Sequence, residues 1–206
     1  MPRPKIEFDA ATHTYTVDGI VRPSVTQVLQ ATGYSDFSMV PEHILLRGQK
    51  RGTIVHDATA IIDDPDYDLD WDELDDTCRP YIEAYRTFKE QSGFRPIKVE
   101  YQVYNESYQF AGTLDRTGWL NNQKVLIDFK TGSVKGEAIR MQLHAYHQCL
   151  NDDPHVMYAL QLRKDGSYRL SSPIHFDIRT WVKFGHMVKT YNYWLQDGII
   201  KREEAE

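Results

Sequence analysis

Between residues 97 and 130 apolar and polar positions alternate with a period of two, and on either side the period lengthens to that of a helix. The alternating part predicts strands at 97–104, 108–120 and 124–130. Asn121-Asn122 separates the last two and is a hairpin signal, because asparagine tolerates positive φ. Near the N-terminus, 6–21 reads as a β-hairpin turning at Asp18-Gly19. Helix 25–31 follows, with Ser24 as N-cap and Gly33 as its stop. A second helix spans 41–62, with Pro41 suited to the first turn. A third runs 72–91 and ends before Gly93; Leu74, Tyr81, Ala84, Tyr85 and Phe88 give it one apolar stripe. After the three strands come a helix at 135–150, a strand at 155–162, a turn at Asp165-Gly166, a returning strand at 168–176 and a last helix at 178–196. That helix carries Trp181, Phe184, Met187, Val188, Tyr191 and Trp194. The order predicts an α/β fold with a mixed sheet.

The strand 124–130 places Val125, Ile127 and Phe129 on one side and Lys124, Leu126, Asp128 and Lys130 on the other. Asp115 lies mid-run in the preceding strand, thirteen positions before Asp128. A hairpin closing at Asn121-Asn122 sets the two aspartates side by side. Adjacent carboxylates repel unless a cation sits between them. A hard divalent ion such as Mg2+, with oxygen ligands at roughly 2.1 Å, suits that role. Lys130, on the face of Asp128, can hold a phosphate or orient an attacking water. This is the outline of a metal-dependent phosphodiesterase site. The ordinary alternative for Asp115 is a surface carboxylate paired with Arg116 or a turn; for Lys130, the exposed end of a strand. Asp128, between Ile127 and Phe129, is costly to bury without a partner.

At 206 residues the chain is expected to form one domain, or one domain with a lobe. No apolar run approaches the ~20 residues of a membrane span, and Met1–Glu7 lacks the apolar stretch of a secretion signal. Cys78 and Cys149, far apart, fit buried thiols in a reducing cytoplasm, and two cysteines cannot supply a four-cysteine zinc or iron–sulfur site. The net charge of −6 argues against nucleic acid until its distribution is read. Nine carboxylates and no base fall between Asp63 and Asp76; removing them leaves +3 for the rest. The acidic segment is expected to be a solvated loop and helix start away from substrate, the alternative being a docking site for a basic partner. No phosphate-binding Gly-x-x-x-x-Gly-Lys-Ser/Thr occurs, so ATP-driven unwinding would need another chain.

Four segments in order carry a resemblance: Arg51-Gly52-Thr53-Ile54-Val55-His56; Gly112-Thr113-Leu114-Asp115; Ile127-Asp128-Phe129-Lys130-Thr131-Gly132; and Gln142-Leu143-His144-Ala145-Tyr146. They resemble the PD-(D/E)XK nuclease superfamily and, more narrowly, its RecB-type and phage exonuclease branch, over residues 48–163. Leu114 stands where proline often precedes the aspartate. Thr12–Gly19 with Pro23-Ser24-Val25-Thr26 resembles an N-terminal module often joined to such phage nucleases. The resemblance implies a restriction-endonuclease-like core, αβββαβ, with helices flanking a central mixed sheet. It implies two units: 1–40, a hairpin and helix packed on the core, and 41–206, the nuclease core with a C-terminal helix.

The resemblance also assigns roles. Asp115, Asp128 and the Phe129 carbonyl would hold Mg2+ or Mn2+, helped by Glu100 or His56, with Lys130 acting on the water. Glu100 alternates with Val99 and Tyr101 and is otherwise a solvent-side residue. His56 shares a helix face with Gly52, and a lone helical histidine is ordinarily structural; the other seven histidines have no such support. Gly52 would let its helix approach the sheet or the scissile phosphate. Gln142 and Tyr146, one turn apart, would line the site and contact DNA, although packing alone explains Tyr146. Arg47, Lys50, Arg51, Lys135 and Arg140 are candidate phosphate contacts, each also readable as surface charge. The implied activity is a DNA exonuclease leaving 5′-phosphates, in phage recombination, repair or end resection, with a single-strand annealing protein as a possible partner. Alternatives are a structure-specific endonuclease of the same fold and a non-catalytic nucleic-acid-binding protein. Monomer and ring-shaped trimer stay equally open.

Overall fold

Three short strands open the chain: β1 (Ile6–Asp9), β2 (Thr14–Val17) and β3 (Ile20–Arg22), paired antiparallel in that order. The computed structural model describes residues 4–132, 136–150 and 156–201. Asp18 and Gly19, at φ 50° and 77°, close the β2–β3 turn as expected, and β1 extends the hairpin to three strands. Helix α1 (Val25–Ala31) begins at Ser24, whose hydroxyl accepts from the Gln27 amide while the Gln27 side chain accepts from the Ser24 amide.

Helix α2 (Glu42–Asp63) is 22 residues long, with Pro41 at its N-cap. Its buried residues, Val55, Ala58 and Thr59, all lie in the second half, so the first half stands free of the core. Helix α3 covers Arg79–Ser92 and ends at Gly93 in the left-handed region. The expected start at residue 72 is wrong. Asp70 and Asp75 turn their carboxylates onto the amides two residues on, Asp72 and Thr77, and such side-chain bonds compete with helix. The helix begins only where Pro80 can occupy its first turn.

The main sheet comprises β4 (Arg95–Asn105), β5 (Phe110–Leu120), β6 (Gln123–Lys130), β7 (Val156–Leu162) and β8 (Tyr168–Leu170), ordered β4-β5-β6-β7-β8. Asn121 and Asn122, at φ 49° and 61°, make the β5–β6 turn. Only β6 and β7 are parallel, which requires a crossover, supplied by helix α4 (Gly136–His147). β8 is shorter than the expected strand at 168–176: past Leu170 the Ser171 amide still donates to the Ala159 carbonyl, and beyond Pro173, which has no amide to donate, an isolated bridge pairs Ile174 with Met157. Helix α5 (Ile178–Gln196) closes the fold and buries Phe184, Met187, Val188 and Tyr191, as its stripe predicted. Among the described residues no helix is long and apolar enough to cross a membrane.

Helices cover both faces of the sheet. Residues of α1, α4 and α5 share one apolar cluster with Leu114 and Leu126; residues of α2 and α3 share another with Val125, Ile127 and Phe129. The side of β6 read as polar is therefore also interior, and Val125 through Phe129 are all buried. A central strand with helices on both sides has no solvent face. The N-terminal sheet sits on β5, through a bond from the Ala111 amide to the Pro23 carbonyl and a small cluster of Tyr15, Val17 and Ala111.

His144 ties α4 to α5. Its Nδ1–H donates to the Arg140 carbonyl and its Nε2 accepts from the Asp177 amide, just where Asp177 caps α5. Burial pushes it below the ordinary 6.5. The unfolded chain then binds a proton that the folded chain refuses, so the contribution of His144 to stability should fall as pH drops below 6.5. Replacing His144 by Leu is expected to flatten that dependence and lower stability at pH 8, read as urea-unfolding free energies across pH 5 to 8.

Candidate metal centre and active site

Local backbone geometry builds this site. The β5–β6 register ends with Arg116 opposite Ile127, which puts Asp115 and Asp128 on the next rung, as the hairpin required. Pairing of β4 with β5 skips one position, between Val99 opposite Arg116 and Tyr101 opposite Leu114. Glu100 occupies the gap at φ 42°, a left-handed conformation that costs a non-glycine residue about 1–3 kcal/mol. Alternation breaks here too. Leu114 packs with the α1, α4 and α5 cluster, whereas Arg116, two residues on, lies over the adjoining rings of Tyr85 and Phe129 on the other side. A regular strand would put both on one face.

His56 comes in from the packed half of α2. Ligand-capable atoms of His56, Glu100 and Asp115 all lie within 4.8 Å of one another, the one such group of three among the described residues. His56 Nδ1 is 3.0 Å from Glu100 Oε1 and 3.7 Å from Asp115 Oδ1. Asp115 Oδ2 accepts from the Phe129 amide at 2.5 Å. Asp128 lies beside this trio rather than within it. Its carboxylate is 1 % exposed and contacts Lys130 Nζ at 2.5 Å, yet neither oxygen has a partner in hydrogen-bonding geometry.

The charges hold one another in place. Burial, then the charges of Asp128 and Glu100, raise Asp115 to about 7 against the pull of His56 and Lys130. Burial alone would lower His56, but Asp115 and the Glu100 hydrogen bond outweigh it and raise it to about 9. Burial likewise opposes ionisation of Glu100, yet His56 and Arg116 hold it below the usual carboxylate value. For Lys130 burial is again outweighed, by Asp128 and Asp115, and its pKa rises. His56, Lys130 and Arg116 are the counter-ions of these carboxylates.

Gln142 donates to the Tyr146 hydroxyl at 3.4 Å. Tyr146 packs against Gly112, where an added Cβ would lie 2.8 Å from its ring. The glycine of Gly112–Asp115 is thus a seat for this tyrosine. Arg51 lies over the Tyr81 ring and donates to the Thr131 carbonyl at 3.3 Å, at the end of β6. With Arg47 and Lys50 it lines a groove of about 550 Å³ that includes Asp75 and Cys78. Among the described residues, nothing beyond its own helix turn lies within 4 Å of the Cβ that Gly52 lacks, so it does not serve approach to the sheet; it leaves open space. Arg140 is exposed, and Lys135 lies outside the described residues.

Three participants were missed. Tyr15, on the N-terminal sheet, bonds through its hydroxyl to Thr113 Oγ1 at 2.9 Å, two residues before Asp115. Arg116 is fully buried, not a surface partner of Asp115: Nε donates to Asp63 Oδ2 (2.6 Å), Nη1 to Glu100 Oε1 (2.8 Å) and the Asp115 carbonyl (2.7 Å), and Nη2 to Thr59 Oγ1 (3.0 Å). Asp63, counted with the solvated acidic segment, has a fully buried carboxylate that also accepts from Lys89 and Tyr85. Its only sequence signal was position: it closes α2 rather than opening the loop.

A model of the PD-(D/E)XK nuclease superfamily matches residues 64–175, just over half of the chain. The chain belongs to the PD-(D/E)XK nuclease superfamily. Superfamily members use divalent metals, and the match takes in Glu100, Asp115, Asp128, Lys130, Gln142 and Tyr146; Arg51, Gly52 and His56 precede it. A comparison with curated proteins finds no match. A solved structure titled "Crystal structure of SSO0001" is similar at 17 % identity over 60 % of this chain and 68 % of that chain, with a TM-score of 0.35, too slight a likeness to bear on the site.

Two outcomes follow from this geometry. A cation entering the site must displace protons from Asp115 and His56, so its affinity should rise with pH from 6 to 9, by up to about tenfold per unit for each proton released. Thermal shifts at fixed Mn2+ across that range measure it, and a pH-independent shift would place the ion elsewhere. Gly112→Ala should displace Tyr146 and destabilise by about 1–3 kcal/mol, read from denaturant unfolding.

Proposed function

We propose that this chain is a Mg2+- or Mn2+-dependent deoxyribonuclease that degrades DNA from its ends, in phage-type recombination, repair or end resection. The observation that carries this reading is the convergence of His56, Glu100 and Asp115 within 4.8 Å beside the ion pair of buried Asp128 with Lys130. Three carboxylates and an imidazole suit a hard divalent ion. Asp128, with both oxygens buried, is paired with a cation, Lys130, and accepts no hydrogen bond, which leaves its carboxylate oxygens available to an ion. Asp115, Asp128 and the Phe129 carbonyl would hold it, with Glu100 and His56 alongside.

When bound, the ion supplies Lewis acidity to the phosphate and acidity to its water. Lys130 is placed to do the rest. Its side chain is 27 % exposed, enough to meet a substrate, and in contact with Asp128. There it can orient the attacking water and offset charge on the pentavalent phosphorus. Gln142 and Tyr146 would line the DNA path. Arg51 and Gly52 would take the backbone, with the open space at Gly52 admitting a phosphate. Action at DNA ends, with 5′-phosphate products, and a single-strand annealing partner follow from the resemblance to the RecB-type and phage branch.

End-labelled linear and closed circular DNA, digested with Mg2+, Mn2+ or EDTA, test this. Wild type should remove linear DNA only, in a metal-dependent way. Asp128→Ala and Lys130→Ala should each lose at least about 10²-fold in rate while remaining folded. Cutting of the circle would make the enzyme an endonuclease. Cleavage of neither by folded wild type would leave a nucleic-acid-binding protein.

A further inference from the structure

Among the described residues the largest fully buried side chain is a cation, Arg116. A buried guanidinium is costly unless its donors are met in good geometry. Here Nε, Nη1 and Nη2 all donate, and the group lies against a contacting aromatic pair, 5.0 Å from the Phe129 ring and 5.8 Å from that of Tyr85. Two of the four acceptors belong to the candidate metal site: the Glu100 carboxylate and the Asp115 main-chain carbonyl. The other two, Asp63 and Thr59, lie on the packed half of α2, the segment that also carries His56.

We propose that Arg116 is the positioning residue of the metal centre: it fixes Glu100 and Asp115 relative to His56 by bridging β4, β5 and α2 through one planar group. The proposal rests on the metal-centre reading above. Three observations converge on it. Glu100 has a left-handed backbone inside a strand, a conformation that persists only when neighbours impose it, and Arg116 holds its carboxylate. Glu100 Oε1 is shared by Arg116 and His56, so the two donors set the carboxylate's rotation together. The break in strand alternation at Asp115 turns Arg116 toward α2 and α3. Asp63 is shared by Arg116 and Lys89 and anchors the guanidinium to the end of α2. A planar fork reaches all four acceptors at once; a lysine ammonium, a point charge on a flexible stem, does not.

The test compares Arg116→Met, Arg116→Lys and Lys89→Met by calorimetric Mn2+ titration, with Tm measured alongside. Lys89→Met removes a cation from the same buried network without touching Glu100. Both Arg116 variants should bind Mn2+ at least tenfold more weakly than wild type. Lys89→Met should lower Tm and leave Mn2+ affinity within twofold. If Arg116→Met does not fold, Arg116→Lys carries the comparison. Lowered Tm with unchanged Mn2+ affinity in the Arg116 variants, or equal loss of affinity in Lys89→Met, would reduce Arg116 to a structural residue. Failure of wild type itself to bind Mn2+ would overturn the metal-centre reading instead.

Discussion

Three carboxylates brought together where water is largely excluded is the constraint on which the rest of this structure depends. Glu100, Asp115 and Asp128 cannot all be ionised in such a place without cations against them. The fold supplies three from its own chain: His56 from α2, Lys130 from the end of β6 and Arg116 from β5. Each fixes an element as well as a charge. His56 and Thr59 bind α2 to the sheet; Asp63 extends the same contact to α3 through Lys89 and Tyr85.

The same arrangement divides the molecule into a packed part and an accessible one. The second half of α2 is buried against α3 and the sheet, whereas its first half, with Arg47 and Lys50, faces a groove. Lys130, at the end of its strand, is partly exposed, while Asp128 two residues earlier is not. A dry floor strengthens electrostatics at the carboxylates, and an open rim admits a polyanion. On the far side Tyr15 and Tyr146 frame the strand that carries Asp115, seated by Thr113 and Gly112. The N-terminal sheet is thus joined to the site as well as to the core.

Much of this was legible in the residues. The asparagine pair set the β5–β6 turn, and with it the register that opposes Asp115 and Asp128. Ser24 set the start of α1, and Gly93 the end of α3. Misreadings arose where local chemistry had rivals. The aspartates at 70 and 75 bonded their own neighbours and delayed α3. Pro173 cut β8 short. Both faces of β6 proved buried, because whether a strand has a solvent face depends on which helices return to cover it, and period-two patterning does not say.

Composition and spacing by themselves determined the element order, the opposed aspartates and the lysine beside the second. These follow from short-range rules: turn propensity, capping and alternation act over a few residues and leave a mark in sequence. The tertiary structure alone decided that Glu100 and His56 meet Asp115, that Arg116 is an interior cation, and that Asp63 is its counter-ion. Those contacts join residues 44 and 53 positions apart, and a charged side chain looks the same in sequence whether solvated or buried. Its place becomes visible only when the strand alternation fails at Asp115 and the side chain turns inward, which a regular pattern could not foretell.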